Sequence, residues 1–229
     1  LKDHQPLLIL PALPKNITLA YLPKGGTIRL RLTCKGENRE TVISQIETQT
    51  GVLRTLVEKY FMGFDCDNLA QTLADRLLQK GKTICTAESC TGGRIAETII
   101  AVPGASNYFK GGIVCYSDDV KIRLLNVSEQ VLAEKTAVCE EVAVEMVKGA
   151  CETLGCDYAI ASTGVAGPGG GTPENPVGTI WIGYGSKDEV RTLKLTEDQG
   201  RDINLSVATI EALRLFLDFY KEKNPMIRG

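Results

Sequence analysis

Histidine is nearly absent from this chain of 229 residues, which contains only His4, in a proline-flanked segment near its start. A serine nucleophile usually passes its proton to a histidine held beside it. Because His4 precedes both segments that have the pattern of folded units, a Ser-His-Asp triad is nearly excluded. A serine hydroxyl is inert without a base, so such chemistry here would need a lysine, a tyrosine or a carboxylate.

Long apolar runs and a strong charge of one sign are also missing. No apolar run approaches the roughly 18 residues of a membrane-spanning helix, so no membrane partner is expected. The net charge of -2 argues against general nucleic-acid binding, which depends on neutralising phosphates. The opening Leu1-Lys2-Asp3-His4 is neither a signal peptide nor a methionine start, so we expect a piece of a longer protein.

None of the eight cysteines forms a C-x-x-C pair, and with a single histidine a zinc site has little support. Several cysteines lie in apolar runs, as Cys115 does after Ile113 and Val114. Such positions are typical of buried thiols that stay reduced in the cytoplasm. We therefore expect a cytoplasmic protein without a metal site.

Residues 1–64 have the pattern of a small α+β domain. Alternating apolar residues on both sides of a glycine-containing turn predict a β-hairpin over residues 17–33. An apolar stripe predicts a helix from about Arg39 to Tyr60. A hairpin and one helix bury little surface, so the unit is small or incomplete, with a boundary expected at residues 63–68.

The sequence pattern changes in residues 67–223, where short apolar strands alternate with helices. Strands are predicted at 83–86, 112–116, 158–162, 177–185 and 190–195, and helices from 69, from near 91, and at 118–125, 128–134, 140–154 and 201–223. This order predicts a three-layer α/β/α domain with a mixed, largely parallel sheet covered on both faces. Ligands of such sheets bind at the carboxyl ends of the strands.

The first polar segment at a predicted strand end contains Ser89, followed by Thr91, Gly92 and Gly93. Small residues there let a ligand approach the backbone, and N–H groups at a helix start lack intrahelical partners. Such groups can stabilise an oxyanion or hold a phosphate. The alternative is that Ser89 is simply the N-cap of the helix.

The second segment contains Lys121, in the first turns of a helix that follows Tyr116 and Ser117. The positive end of the helix disfavours an ammonium, whereas Asp118 and Asp119 favour it, which leaves the net effect open. A neutral lysine can act as a base. The alternatives are a solvated lysine and a tyrosine that packs at the strand end.

The third segment, residues 162–174, is rich in glycine but is not a Walker loop, because no Gly-Lys-Ser/Thr follows. It is either the backbone-lined rim of a nucleotide pocket or a flexible surface loop. Arg201, at the start of the last helix, either presents its guanidinium to a phosphate or lies on the surface.

Five segments together resemble one known family: Thr86–Gly93, Tyr116-Ser117 with Lys121, Gly164–Pro168, Pro176–Thr179 and Gly200–Asp202, in this order. They resemble the CinA C-terminal family, or nicotinamide-nucleotide amidohydrolases, over about residues 67–223. Residues 17–60 resemble the KH-like middle linker domain of full-length CinA proteins. Since that segment has no G-x-x-G loop, RNA binding is not expected.

The resemblance implies deamidation of nicotinamide mononucleotide to nicotinate mononucleotide and ammonia, without a metal or cofactor. In the family a serine acts with a lysine, and Ser89 and Lys121 match these positions, with Tyr116 matching a tyrosine beside them. The resemblance also implies an N-terminal domain that is missing here, as a partner within the full-length chain. We further expect a homo-oligomer.

In the predicted mechanism Lys121, directly or through Tyr116, takes the Ser89 proton, and Ser89 attacks the carboxamide carbon. Ammonia leaves, and water hydrolyses the acyl-enzyme. The residues assigned to the oxyanion and the substrate are Cys90, Thr91, Gly92, Thr163, Gly164, Gly167 and Arg201. The alternative hypotheses are a regulatory module that binds a pyridine nucleotide without turnover, and a hydrolase of another small amide.

Overall fold

The computed structural model describes residues 13–24, 27–57 and 69–224. The chain divides into two compact units, Leu1–Gly63 and Phe64–Gly229. His4, the end of the first predicted helix at 58–60 and the expected boundary at 63–68 lie outside the described residues.

The first unit contains a hairpin and a helix, as the alternation of its sequence predicts. Strands β1 (Ile17–Lys24) and β2 (Thr27–Cys34) pair in antiparallel fashion. Helix α1 (Arg39–Leu56) begins after Asn38, whose side-chain oxygen accepts a hydrogen bond from the Thr41 N–H at 3.0 Å. The KH-like identity of this unit stays a prediction.

The second unit is built on a five-stranded mixed sheet with the strand order β4-β3-β5-β6-β7. The strands are β3 (Ile84–Glu88), β4 (Phe109–Val114), β5 (Tyr158–Gly164), β6 (Ile180–Gly185) and β7 (Val190–Leu195). Strand β3 is parallel to both β4 and β5, whereas β6 is antiparallel to both β5 and β7. The mixed sheet is confirmed, and its parallel part is confined to β4, β3 and β5.

Helices cover both faces of this sheet, which confirms the three-layer prediction. They are α2 (Leu69–Lys80), α3 (Arg94–Ile100), α4 (Asp118–Leu125), α5 (Glu129–Lys135), α6 (Glu140–Leu154) and α7 (Arg201–Lys223). Helices α2, α3 and α7 enclose one apolar core, and α4 and α6 enclose the other. Within the described ranges, no helix combines the length and apolar character that crossing a bilayer requires.

A close contact between α4 and α6 depends on Gly149. A Cβ atom at this position would overlap the backbone carbonyl of Leu125, the last residue of α4. Glycine therefore lets the two helix backbones approach each other. This packing fixes the position of α4, and with it the position of Lys121.

Candidate active site

A cavity of about 280 Å³ lies where β3 and β5 end. Most of the predicted site residues line it: Ser89, Cys90, Tyr116, Lys121, Thr163, Gly164, Gly167 and Arg201. Thr91 and Gly92 do not line it. Asp118, which the sequence placed beside Lys121, also contributes to the wall, as do the loop residues Ala137 and Val138, to which the sequence assigned no role in the site.

Ser89 lies in a tight turn between β3 and α3. Its N–H donates to the Ser162 carbonyl at 2.9 Å, and its own carbonyl accepts from the Gly92 N–H at 3.2 Å. The side chain is 8% exposed, and among the described residues no hydrogen bond of its hydroxyl is found. Because α3 begins after Gly93, the alternative that Ser89 is its N-cap is wrong.

Glu88, the last residue of β3, performs the capping instead. Its carboxylate accepts hydrogen bonds from the N–H groups of Gly93, Ile95 and Ala96 at 3.0, 3.0 and 2.8 Å, and from the Thr91 hydroxyl at 2.7 Å. The residue is 1% exposed. A buried carboxylate at a helix N-terminus satisfies the orphan donors and complements the helix dipole. The donors of α3 itself are therefore not free for a ligand.

The oxyanion donors predicted at Cys90, Thr91 and Gly92 are not equivalent. The Gly92 N–H is engaged by the Ser89 carbonyl. The N–H groups of Cys90 and Thr91 make no hydrogen bond to a backbone carbonyl within the described chain. The Thr91 side chain lies behind the turn, because its hydroxyl contacts Glu88 and, at 2.6 Å, the Ser162 hydroxyl. Thr91 thus offers the site a backbone donor only.

Cys90 is next to Ser89 and is a chemical rival as nucleophile. Burial raises the pKa of the Cys90 thiol to about 12. This cysteine therefore stays protonated near neutral pH, and only a thiolate is strongly nucleophilic. The hydroxyl of Ser89 is therefore the better candidate in this turn.

Lys121 is buried to 1% exposure, which is rare for a lysine. Its Nζ lies 3.3 Å from the Asp118 Oδ1 and 3.4 Å from the Tyr116 backbone carbonyl. Helix α4 is capped by Ser117, whose hydroxyl accepts from the Val120 N–H at 3.4 Å. Lys121 thus lines the same cavity as Ser89, without a direct hydrogen bond between the two side chains.

Tyr116 is 67% exposed and lies at the rim of this cavity. It contacts Lys121 through its backbone carbonyl and not through its phenol. The relay from Ser89 through the tyrosine hydroxyl is therefore not formed in this structure.

The first part of the glycine-rich loop is held in place by contacts at residues 163–167, whereas residues 168–174 are exposed. Arg201 Nη1 donates to the Gly167 carbonyl at 2.7 Å, and Asn204 Nδ2 donates to the Ala166 carbonyl at 3.1 Å. Asn204 is 4% exposed and was not predicted. Thr163 Oγ1 donates to the Ala137 carbonyl at 2.7 Å, so it fixes the neighbouring wall.

Comparisons with known proteins agree with this fold. Residues 66–220 match the family model described as the CinA C-terminal domain. The chain is 41% identical over 211 residues to a CinA-like protein of Cytophaga hutchinsonii, covering 92% of this chain and 50% of that protein. It thus spans about half the length of the curated relatives it matches.

Solved structures give the same result. The crystal structure of a competence-damaged protein (CinA) superfamily protein from Escherichia coli is 35% identical with a TM-score of 0.65, covering 67% of this chain and 90% of that chain. A competence/damage inducible protein from Agrobacterium tumefaciens is 32% identical with a TM-score of 0.64, covering 69% and 97%.

Proposed function

This chain belongs to the CinA C-terminal domain family, and we propose that it is an amidohydrolase that converts nicotinamide mononucleotide to nicotinate mononucleotide and ammonia. One observation carries the proposal: the buried Lys121 and Ser89 line the same cavity. The described residues contain no histidine, and among the remaining candidate bases that line the cavity we assign the role to Lys121. A serine activated by a lysine is an established variant of hydrolase chemistry.

In the proposed reaction, the Lys121 ammonium first releases one proton to water, and the resulting amine leaves Asp118 and turns toward Ser89. It takes the hydroxyl proton as Ser89 Oγ bonds to the carboxamide carbon. The resulting ammonium gives this proton to the departing nitrogen, the C–N bond breaks, and ammonia leaves an acyl-enzyme. Water, deprotonated by the same amine, then releases the carboxylate product and restores the serine.

The N–H groups of Cys90 and Thr91 are the proposed donors to the oxyanion. Their lack of backbone acceptors in the described chain supports this role, and removal of one such donor typically lowers the rate by about 10²–10³-fold. Glu88 contributes by holding the turn, since its carboxylate bonds the Thr91 hydroxyl and the first N–H groups of α3. The donors are therefore oriented before the substrate binds.

The nucleotide part of the substrate is proposed to lie along Thr163, Gly164 and Gly167, with its phosphate near Arg201. All four residues line the cavity. The contact with the Gly167 carbonyl uses Nη1 of Arg201, and a guanidinium has five N–H donors in total. The remaining donors can bind a phosphate while the loop stays anchored.

The test is ammonia and nicotinate mononucleotide release by the wild type, Ser89→Ala and Lys121→Ala. Each variant is expected to lose turnover by at least about 10³-fold, since both groups act on the same proton. Lys148→Ala, an exposed lysine on α6, is the matched control and should keep the wild-type rate. Wild-type rates in either site variant would exclude that residue from the reaction.

A second candidate is a non-catalytic module that binds a pyridine nucleotide and regulates a larger protein. It is favoured by the engagement of the Lys121 amine with Asp118 in place of Ser89. This candidate predicts that nicotinamide mononucleotide raises the Tm of the protein while no ammonia is released. Ammonia release that depends on Ser89 would exclude it.

The proposal also covers the full-length protein, its cellular location and its oligomeric state. The chain covers half of its relatives, which supports action within a longer CinA-type protein that has a further N-terminal domain. We place that protein in the cytoplasm as a homo-oligomer. Light scattering of the longest natural form would test the oligomer.

A further inference from the structure

Three cysteines, one of them distant in sequence from the other two, lie together at one end of the sheet. Cys85 is in β3, Cys151 is in the last turn of α6, and Cys156 follows that helix. The Cys156 and Cys85 sulfurs are 2.7 Å apart, and both contact the Tyr158 carbonyl, at 3.3 and 3.6 Å. The Cys151 thiol lies near the other two, since the three thiols shift one another's pKa values. We call these residues the thiol cluster.

The backbone fixes the geometry of the thiol cluster. Gly155 adopts a positive φ of 60° at the end of α6, and the Cys156 N–H then bonds back to the Cys151 carbonyl at 3.1 Å. Cys85 is the register partner of Ala159 in the parallel β3–β5 pair. The helix end and the strand pairing therefore place the Cys156 and Cys85 side chains together.

The three thiols differ in access and acidity. Cys85 is fully buried and Cys151 is 4% exposed, whereas Cys156 is partly exposed. Hydrogen-bond contacts with Cys151 and Cys85 lower the pKa of Cys156, and the contacts with Cys151 and Cys156 together with burial raise the pKa of Cys85. A partly exposed thiol of lowered pKa thus lies beside a buried thiol of raised pKa, and a lowered pKa is typical of reactive cysteines.

We propose that Cys85 and Cys156 form a reversible oxidation site, at which a small hydroperoxide converts the two thiols into a disulfide. The Cys156 sulfur attacks one peroxide oxygen, the O–O bond breaks, and the leaving oxygen takes a proton to become water or an alcohol. Cys156 is then a sulfenic acid. The Cys85 sulfur displaces its oxygen, which leaves with the Cys85 proton as water, and an S–S bond forms. Two electrons pass from the thiols to the peroxide.

A disulfide at this position needs little movement. The Cys85 and Cys156 sulfurs are 2.7 Å apart, and the two sulfurs of a disulfide bond lie about 2.05 Å apart. The thiol cluster is separate from the proposed amidase chemistry, since none of its three residues lines the cavity. The two activities can therefore fail independently. A thiol reductant such as dithiothreitol should reverse the oxidation.

The experiment uses the reduced full chain and one equivalent of hydrogen peroxide. Free thiols are blocked at low pH, and the protein is cleaved after lysine, arginine and glutamate. Cys85 then falls in peptide 83–88 and Cys156 in peptide 153–174, both separated from Cys90 and Cys151. The expected result is a cross-link between these two peptides that dithiothreitol removes.

Two variants give the matched comparison. Cys156→Ser should abolish the cross-link and slow peroxide-dependent thiol loss by at least about tenfold. Cys139→Ser is the control, because Cys139 is a partly buried thiol whose pKa is raised by burial, and it should leave the cross-link unchanged. The mapping on the wild type needs no variant to fold. No cross-link, a link through Cys151, or sulfinic acid at Cys156 without a link would overturn the proposal.

Discussion

The Lys121 Nζ lies 3.3 Å from the Asp118 Oδ1, and the two side chains differ sharply in their exposure, at 1% and 57%. A buried amine is thus paired with a carboxylate that water reaches. The ion pair lies in the cavity wall beside Ser89. Its strength decides how readily Lys121 can serve as a base.

Asp118→Asn should make the amine easier to use, because the group that holds the Lys121 Nζ at 3.3 Å loses its charge. The amine then leaves position 118 more readily and turns toward Ser89. We expect kcat for nicotinamide mononucleotide to rise. The matched control is Asp119→Asn, which removes an exposed carboxylate paired with Arg123 at 2.8 Å on the same helix. A fall of kcat in Asp118→Asn but not in Asp119→Asn would show that Asp118 supports the reaction and does not restrain the amine.

Glu88→Ala should be strongly destabilising, because three N–H groups at the start of α3, of which that of Ile95 is buried and those of Gly93 and Ala96 are partly buried, lose their acceptor, and the Thr91 hydroxyl loses one of its two partners. The expected loss in the free energy of unfolding is about 3 kcal/mol or more. Urea denaturation of this variant and of Glu97→Ala, an exposed glutamate on α3, measures the difference. A loss for Glu88→Ala no larger than for the control would contradict the capping role.

Arg201→Ala separates two roles of the guanidinium. If it binds the phosphate, KM for nicotinamide mononucleotide should rise about tenfold, while phosphate-free nicotinamide riboside should be affected little. If it acts only by anchoring the loop at Gly167, the kinetic constants for both substrates should change to the same extent. The control is Arg94→Ala, which removes a weak exposed contact to Asp202 at 3.5 Å.

Asp157 should make stability depend on pH in the acid range. Burial opposes its charge, but hydrogen bonds from Lys82 at 2.7 Å and from the Thr83 N–H at 2.8 Å more than offset this, and the pKa of Asp157 is lowered. A carboxyl with a lowered folded pKa stabilises the fold above its unfolded pKa, and this contribution is lost as pH falls through the folded value.

We therefore expect Asp157→Asn to be less stable than the wild type at pH 7, with the gap narrowing below about pH 4, where an unfolded aspartate is protonated. Urea denaturation across this range checks the prediction. Asp188→Asn, an exposed aspartate in the β6–β7 turn, is the control. A gap that is constant with pH would show that the carboxylate charge is not what stabilises the contact.

Much of the second unit could be predicted from the sequence, because its helices have clear apolar stripes and end signals. Helices α4, α6 and α7 begin and end where they were predicted. The start of α3 was predicted too early, near residue 91. Its cap is the Glu88 carboxylate, which reaches forward over a turn, and propensity rules consider only the residue directly before a helix.

The direction of β6 was harder to predict, because a strand buried on both faces has the same pattern in parallel and antiparallel pairs. The β5–β6 connection indicates the antiparallel direction. A parallel crossover normally contains a helix, and this stretch contains none in the described chain. The three polar segments of the site met as predicted. The wall at Ala137 and Val138 was missed, because it contributes only small apolar side chains and backbone.

The antiparallel return of β6 has a consequence for how ligand choice can diversify. The glycine-rich loop leaves β5 and re-enters β6 at the same point, where the Val165 N–H bonds to the Thr179 carbonyl at 2.7 Å. Its tip can be lengthened or shortened without changing the strand register. During evolution, the length of this loop and the selectivity for ligands can therefore change while Ser89 and the sheet that positions it stay the same.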